Sequence, residues 1–368
     1  MKLLVINFVM DQDSPVLAWQ HGVVTRLAAR CERVVVLTER VGRCPLPSNV
    51  EVHRVPRAFT SPLRMLGVRA LMNAPVWRWC ARERFDAVFV HMNADWVYRL
   101  SPCWMQFRLP VLLWYAHGTV TPRLHRALAR ATCVVTSTPD GFRIPSPKVR
   151  VIGQGIDTDL FHIPAARSTN ATIAAVGRVS RRKSVDLMIE ALAWLKSHAP
   201  HAPWQLRIIG PALTADDATY REELDRLVKR RGLERDVHFE GPRPLPELPE
   251  VYHSAFAHLN LSDTGSMDKA ILESLACGCP TLSSNVAIRS LLEPFPELIL
   301  RSRAAADIGR QIAGLYARRQ TLEPAALRAL VAGQHDADSY IERVHQILRE
   351  LSHRQTVTVG IPSVLPSA

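Results

Sequence analysis

The chain has 368 residues, 47% apolar and 22% charged, the composition of a folded protein long enough for two domains with separate cores. No run approaches the roughly 18 uncharged apolar residues of a membrane helix, so a helical span is not expected. The net charge of +12 lies in residues 1–150, with 21 Lys and Arg against 9 Asp and Glu, while residues 151–368 carry 25 of each.

Nineteen of those 21 cations are arginine, whose planar fork suits phosphate. The first half is therefore expected to meet a membrane surface, a lipid-linked phosphate or an acidic glycan, with an arginine-rich coding bias as the plain alternative. No recognition motif or aromatic interleaving accompanies the charge, and nucleic acid is not an expected partner. The opening MKLLVINFVMDQD runs from an apolar stretch straight into acids and reads as a first buried strand, not as a signal peptide. Seven scattered cysteines without paired CxxC units or finger-spaced histidines suit a reduced cytoplasm. Cys277 and Cys279, one residue apart in a small-residue turn, read as structural.

In chain order, apolar runs at 3–8, 33–37, 50–55, 87–90, 111–114, 133–136 and 149–152 predict strands too continuous for a one-sided sheet. Amphipathic segments at 18–30 and 122–130 fall between them. The same rhythm restarts at 173–176, 205–209, 237–240, 257–261, 281–283 and 298–300. This βαβα alternation predicts two doubly wound α/β domains, each a parallel sheet covered on both faces. FHIPAARSTNA suggests a boundary near 163, giving domains at 1–163 and 164–335, followed by an amphipathic helix at 336–353 and a loose tail at 354–368.

Two motifs in the second half carry chemistry. In VGRVSRRK, Arg178 and Lys183 follow the apolar strand 173–176, where a diphosphate would be held at the carboxyl edge of a sheet. In TGSMDKAILESLACGCP, a glycine turn and a helix start at Thr264, Gly265, Ser266, Asp268 and Lys269 precede a lone carboxylate, Glu273. Fixed cations in a dry cleft stabilise charge developing on a leaving phosphate. Backbone N–H groups at a helix start can hold an anion or a sugar hydroxyl.

VGRVSRRKSVDLMIEAL, HFEGPRPLPELPEVYHSA and TGSMDKAILESLACGCPTLSSN, in that order, resemble the C-terminal domain of the retaining glycosyltransferases of family 4. LLWYAHG and VRVIGQGIDTDLF resemble that family's histidine turn and interdomain strand-loop. The resemblance implies the GT-B architecture, two tandem Rossmann-like domains with an interdomain cleft: the second holds a nucleotide diphosphate sugar, and the first receives a glycan or lipid-linked acceptor.

By resemblance, Arg178 and Lys183 neutralise the departing nucleoside diphosphate, Glu273 accepts from the ribose hydroxyls, and His117 stands near the transferring sugar or acceptor. His91 is a second candidate on the acceptor side. The family has a glutamate where this chain has Gly265, which leaves Asp268, Lys269 and the backbone from Gly265 onward to contact the sugar; Asp268 also reads as an N-terminal helix charge. The first strand-helix turn carries Asp11, Asp13 and Ser14 where many members have glycines. These side chains either orient acceptor hydroxyls or cap the following helix.

The resulting expectation is a retaining transferase of polysaccharide biosynthesis, metal-independent and without a cofactor beyond its co-substrate. It is expected to be cytoplasmic, with peripheral contact at the inner face of a membrane. A same-fold epimerase or hydrolase and a non-catalytic partner subunit are the alternatives.

Overall fold

The structure, a computed structural model, describes residues 1–55, 68–166, 168–262 and 265–359. Thr264 and residues 360–368 of the expected tail lie outside the described residues. The chain divides into two compact units, one formed by Met1–Ile152 with the chain from Tyr340 onward, the other by Gly153–Ser339.

Unit 1 contains β1 (Lys2–Met10), α1 (Trp19–Ala28), β2 (Arg33–Val41), β3 (Val50–Arg54), α2 (Val68–Glu83), β4 (Ala87–His91), α3 (Ala94–Arg99), α4 (Ser101–Gln106), β5 (Val111–Trp114), α5 (Pro122–Arg130), β6 (Cys133–Thr136) and β7 (Val149–Val151). Unit 2 contains β8 (Thr172–Val176), α6 (Val185–His198), β9 (Gln205–Ile209), α7 (Ala215–Arg231), β10 (Val237–Gly241), α8 (Leu248–Ser254), β11 (Ala257–Asn260), α9 (Lys269–Ala276), β12 (Thr281–Ser283), α10 (Ala305–Ala317) and α11 (Pro324–Ala332). The final helix, α12 (Ala337–Val359), starts in unit 2 and continues into unit 1.

Both sheets are parallel, in the orders β3-β2-β1-β4-β5-β6-β7 and β10-β9-β8-β11-β12. In each, the strand order reverses beside the first strand, between β1 and β4 and between β8 and β11. Folds of this kind bind ligands outside the carboxyl ends of the strands at that reversal. Strand interiors such as Leu3–Ile6, Val34–Val36 and Ala87–Val90 are buried on both faces, which is why they read as continuous apolar runs.

The expected strand at 298–300 is absent. Pro296–Leu298 makes a 3₁₀ turn, and only Ile299 forms an isolated bridge, to Ser283. Leu298 is taken up in that turn, its amide donating to the Phe295 carbonyl (2.9 Å), so the extended run begins only at Ile299. The division between units falls at 152/153 and not at 163/164, because Ile156 and Phe161 bury their side chains in the core of unit 2. Arg328 fastens the same loop, donating to the carbonyls of Thr158 (2.7 Å), Phe161 (2.5 Å) and Ala276 (2.8 Å).

The expected separate helix at 336–353 is part of unit 1 from Tyr340 onward. Tyr340, Ile341, Val344, Ile347, Leu348 and Leu351 bury against Leu3, Val5, Val34 and Val36 of the first sheet. It remains helical through Val359, so the first residues assigned to a loose tail continue it. Among the described residues no helix is long and apolar enough to cross a membrane.

Candidate functional site

In unit 2 the chain leaves β8 through Gly177 (φ +140°) beside Gly210 (φ +147°), which follows β9. A Cβ on Gly210 would collide with the Gly177 carbonyl, so glycine is needed for the two strand ends to approach. Arg178 follows at once, its side chain 41% exposed and its Nε 3.7 Å from Asp217 Oδ2. Asp217 belongs to the capping box that starts α7 with Thr214.

Lys183 ends a 3₁₀ turn, Arg181–Lys183, before α6 begins. Its ammonium pairs with the Asp268 carboxylate, which also accepts from Asn260 Nδ2 (2.9 Å). Burial alone would raise the Asp268 pKa; the Lys183 ammonium and Asn260 amide hold it below its ordinary value. Lys183 lies between β8 and α6, whereas Asn260 ends β11. The pair therefore spans the carboxyl ends of β8 and β11, where the strand order reverses. Asp268 also caps α9 by accepting from Ala270 N (3.4 Å), which is the helix-start role expected of it.

Glu273, 8% exposed, lies one turn further along α9, and Tyr252 of α8 donates its hydroxyl to Glu273 Oε2 (3.1 Å). Burial pushes the carboxyl up to about 7, against the pull of Lys269 and the Tyr252 hydrogen bond. Burial likewise brings Lys269 down to about 8, opposed by Glu273, while its ammonium donates to the Gly155 carbonyl (2.6 Å). Tyr252, wholly enclosed, is held well above its ordinary value by burial and stays a donor.

Gly265, where the resembled family has glutamate, takes φ +66°, a left-handed conformation that side chains disfavour. The loop after it is pinned by Asn285 Nδ2, which donates to the Ser266 carbonyl (2.9 Å). Under this edge His258 of β11 is buried between Tyr252 and Thr281, and burial brings it down to about 3, so the ring is neutral. Among the described residues no group of three or more His, Cys, Asp or Glu side chains is placed to hold a metal ion.

The candidates of unit 1 are dispersed along its own sheet edge. Asp13 forms a two-pronged pair with Arg43 (both 2.7 Å), and Asp11 Oδ1 accepts from the Asp13 amide (3.0 Å). Ser14 Oγ accepts from Leu17 N (3.3 Å), closing the turn before α1. His91 is 1% exposed, its ring enclosed by Trp19 (4.9 Å), Phe89 (5.2 Å) and Trp114 (4.9 Å). His117 is exposed; its amide donates to the Gly141 carbonyl (2.8 Å), and its Nδ1 accepts from Thr119 N (3.3 Å).

Arg178, Lys183, Asp268, Lys269 and Glu273 thus all lie on elements at one edge of unit 2, with Gly265 and Ser266 in the loop between β11 and α9. Sequence reasoning missed Asn260, Tyr252 and Asn285. A signal was present for the first: AHLN places polar side chains in a strand otherwise built for burial.

A doubly wound parallel sheet with a cation–carboxylate pair where its strand order reverses defines an α/β protein with a candidate ligand site at the switch point of its second sheet. The family model for glycosyl transferases group 1 matches residues 170–318, the stretch that carries this edge. Over 157 residues the chain is 29% identical to D-inositol 3-phosphate glycosyltransferase of Corynebacterium jeikeium, covering 39% of this chain and 37% of that protein. Over 178 residues it is 25% identical to mannosylfructose-phosphate synthase of Agrobacterium fabrum, covering 43% and 39%. The matched stretch thus spans well under two thirds of either relative.

Among solved structures, Anabaena Alr3699/HepE in complex with UDP superimposes with a TM-score of 0.76 at 17% identity, over 95% of this chain and 100% of that one. Sucrose-phosphate synthase from Thermosynechococcus elongatus gives 0.75 at 16%, over 96% and 100%. At these identities the likeness is one of fold, and the two parallel-sheet units have the GT-B fold of those structures.

Proposed function

We propose that the chain is a retaining glycosyltransferase that moves a sugar from a nucleoside diphosphate donor to a hydroxyl of a glycan or lipid-linked acceptor, without a metal. The observation that carries this reading is the juxtaposition of Lys183, Asp268 and Asn260 where β8 and β11 part, with Arg178 beside it and Glu273 on the same helix as Asp268. Arg178 and Lys183 take the charge of the leaving diphosphate, and fixed cations do so without reorganisation during the reaction. Glu273, held by Tyr252, accepts from the ribose hydroxyls.

Asp268, Lys269 and the backbone of Gly265 and Ser266 receive the sugar, since no side chain projects from position 265. With no nucleophile assigned for a covalent intermediate, the acceptor attacks on the face from which the diphosphate leaves. Uridine is the base to test first, because Alr3699/HepE was solved with UDP and with UDP-glucose.

The arginine-rich unit 1 receives the acceptor, with His117 as its exposed candidate, and brings the protein to the anionic inner face of a membrane. Transfer from UDP-, GDP- and ADP-sugars to lipid or glycan extracts tests the reaction; donor binding without transfer to any extract would overturn it. Co-sedimentation with vesicles containing phosphatidylserine, at low and high salt, tests the membrane contact, and binding indifferent to anionic lipid would sink it.

A further inference from the structure

Arg303 belongs to no motif and lies beyond the last strand. The chain reaches it through Ile299, bridged to Ser283, and Leu300, whose amide donates to the Ser283 carbonyl (2.9 Å). This short extended run beside β12 delivers the guanidinium to the carboxyl edge of the sheet. There Nη2 donates to Ser184 Oγ (2.5 Å), while Nη1 donates to the Leu261 carbonyl (3.1 Å) and Ser284 Oγ (3.3 Å).

Two of these three acceptors are chain neighbours of the groups that set the cation–carboxylate pair. Ser184 directly follows Lys183 and has φ 49° and ψ 49°, a left-handed backbone that a serine adopts only when something holds it there. Leu261 directly follows Asn260, which fixes the Asp268 carboxylate. A planar fork with several donors can span such acceptors, whereas an ammonium offers a single nitrogen.

We propose that Arg303 is a positioning residue for the phosphate-binding edge: by tying Ser184 to Leu261 it sets Lys183 against Asp268 and fixes where the ammonium meets a diphosphate. This rests on the donor reading above.

The test is calorimetric titration of UDP and of uridine into the whole chain and its R303Q, R303K and R303Q/S184G variants, with the Asp268 carboxyl followed by ¹³C NMR. R303Q is expected to weaken UDP binding about tenfold while uridine stays within about twofold, since the loss falls on the phosphates. R303K should behave like R303Q, because charge without the fork does not hold both segments. S184G should recover most of the loss in the R303Q background, since glycine takes the left-handed backbone unaided. The Asp268 carboxyl, normally held low by Lys183, should titrate nearer its ordinary value in R303Q.

Unchanged UDP affinity with unchanged Asp268 titration would overturn the proposal. So would equal loss of UDP and uridine with a lowered melting temperature, the sign of a purely structural role. Weaker UDP binding with an unmoved Asp268 would overturn it too, by making Arg303 a ligand contact. A wild-type chain that binds no UDP, while R303Q still shifts Asp268, would sink the uridine-donor reading and leave the positioning role standing.

Discussion

The two sheets end in contrasting edges. In unit 2 the charged groups are half-buried or buried and each has a fixed partner: Lys183 with Asp268, Asp268 with Asn260, Glu273 with Tyr252. In unit 1 the candidate acids sit at the surface, with Asp13 paired to the exposed Arg43, while the edge histidine of β4, His91, is sealed among rings. A surface pair is screened by water and fixes little; a partly dry pair holds its geometry. The difference marks unit 2 as the place where charge is preorganised, although the excess of charge lies in unit 1.

Replacing Lys183 tests this contrast most severely. K183A removes the cation proposed to meet the diphosphate and leaves Asp268 without its counter-charge. Transfer should fall by about 10²–10³-fold, and the chain should lose roughly 2 kcal/mol of stability, checked by steady-state turnover and by denaturant melts.

The second effect concerns His258. Its folded pKa is depressed to about 3 by burial, so the unfolded chain binds a proton that the folded chain refuses. Stability is therefore present above pH 6.5 and is lost as pH falls towards 3, by about 3 kcal/mol at pH 4 from this group. H258L should flatten that part of the stability curve measured by urea melts, though other groups still titrate there. An equally steep curve in the variant would mean that the ring is not the source.

A third effect sharpens the donor end. Glu273 sits near 7 because burial disfavours its charge, whereas the ribose hydroxyls proposed to reach it would donate best to the carboxylate. Uridine affinity, measured with a ligand that carries no titrating phosphate, should therefore rise as pH increases through about 7, by about tenfold between pH 6 and pH 8. E273Q should bind weakly and without that slope.

The smallest effect belongs to unit 1. D13N breaks an exposed pair and should leave both the melting temperature and the UDP affinity unchanged. A clear loss of donor affinity would erase the contrast between the two edges.

The apolar runs alone determined eleven of the named strands of the two sheets within a residue or two, together with α5, because doubly covered parallel strands must be continuous in Val, Ile and Leu. VGRVSRRK placed Arg178 and Lys183 at a strand end by the same local logic, and DKAILE placed Glu273 in a helix start. β1 outran its expected run at both ends, since a strand's end depends on its neighbour β2, which pairs with it as far as Met10–Val41.

What the sequence could not carry were contacts between distant positions. Pairing Lys183 with Asp268, Tyr252 with Glu273 and Arg303 with Ser184 requires strands far apart in the chain to lie side by side, so no local period encodes it. Assigning 153–163 to unit 2 and Tyr340 onward to unit 1 likewise depended on which core each apolar side chain could reach. Local periodicity specifies elements and some of their polar ends; only tertiary packing decides which of those ends meet, and therefore which charges are held and which remain in water.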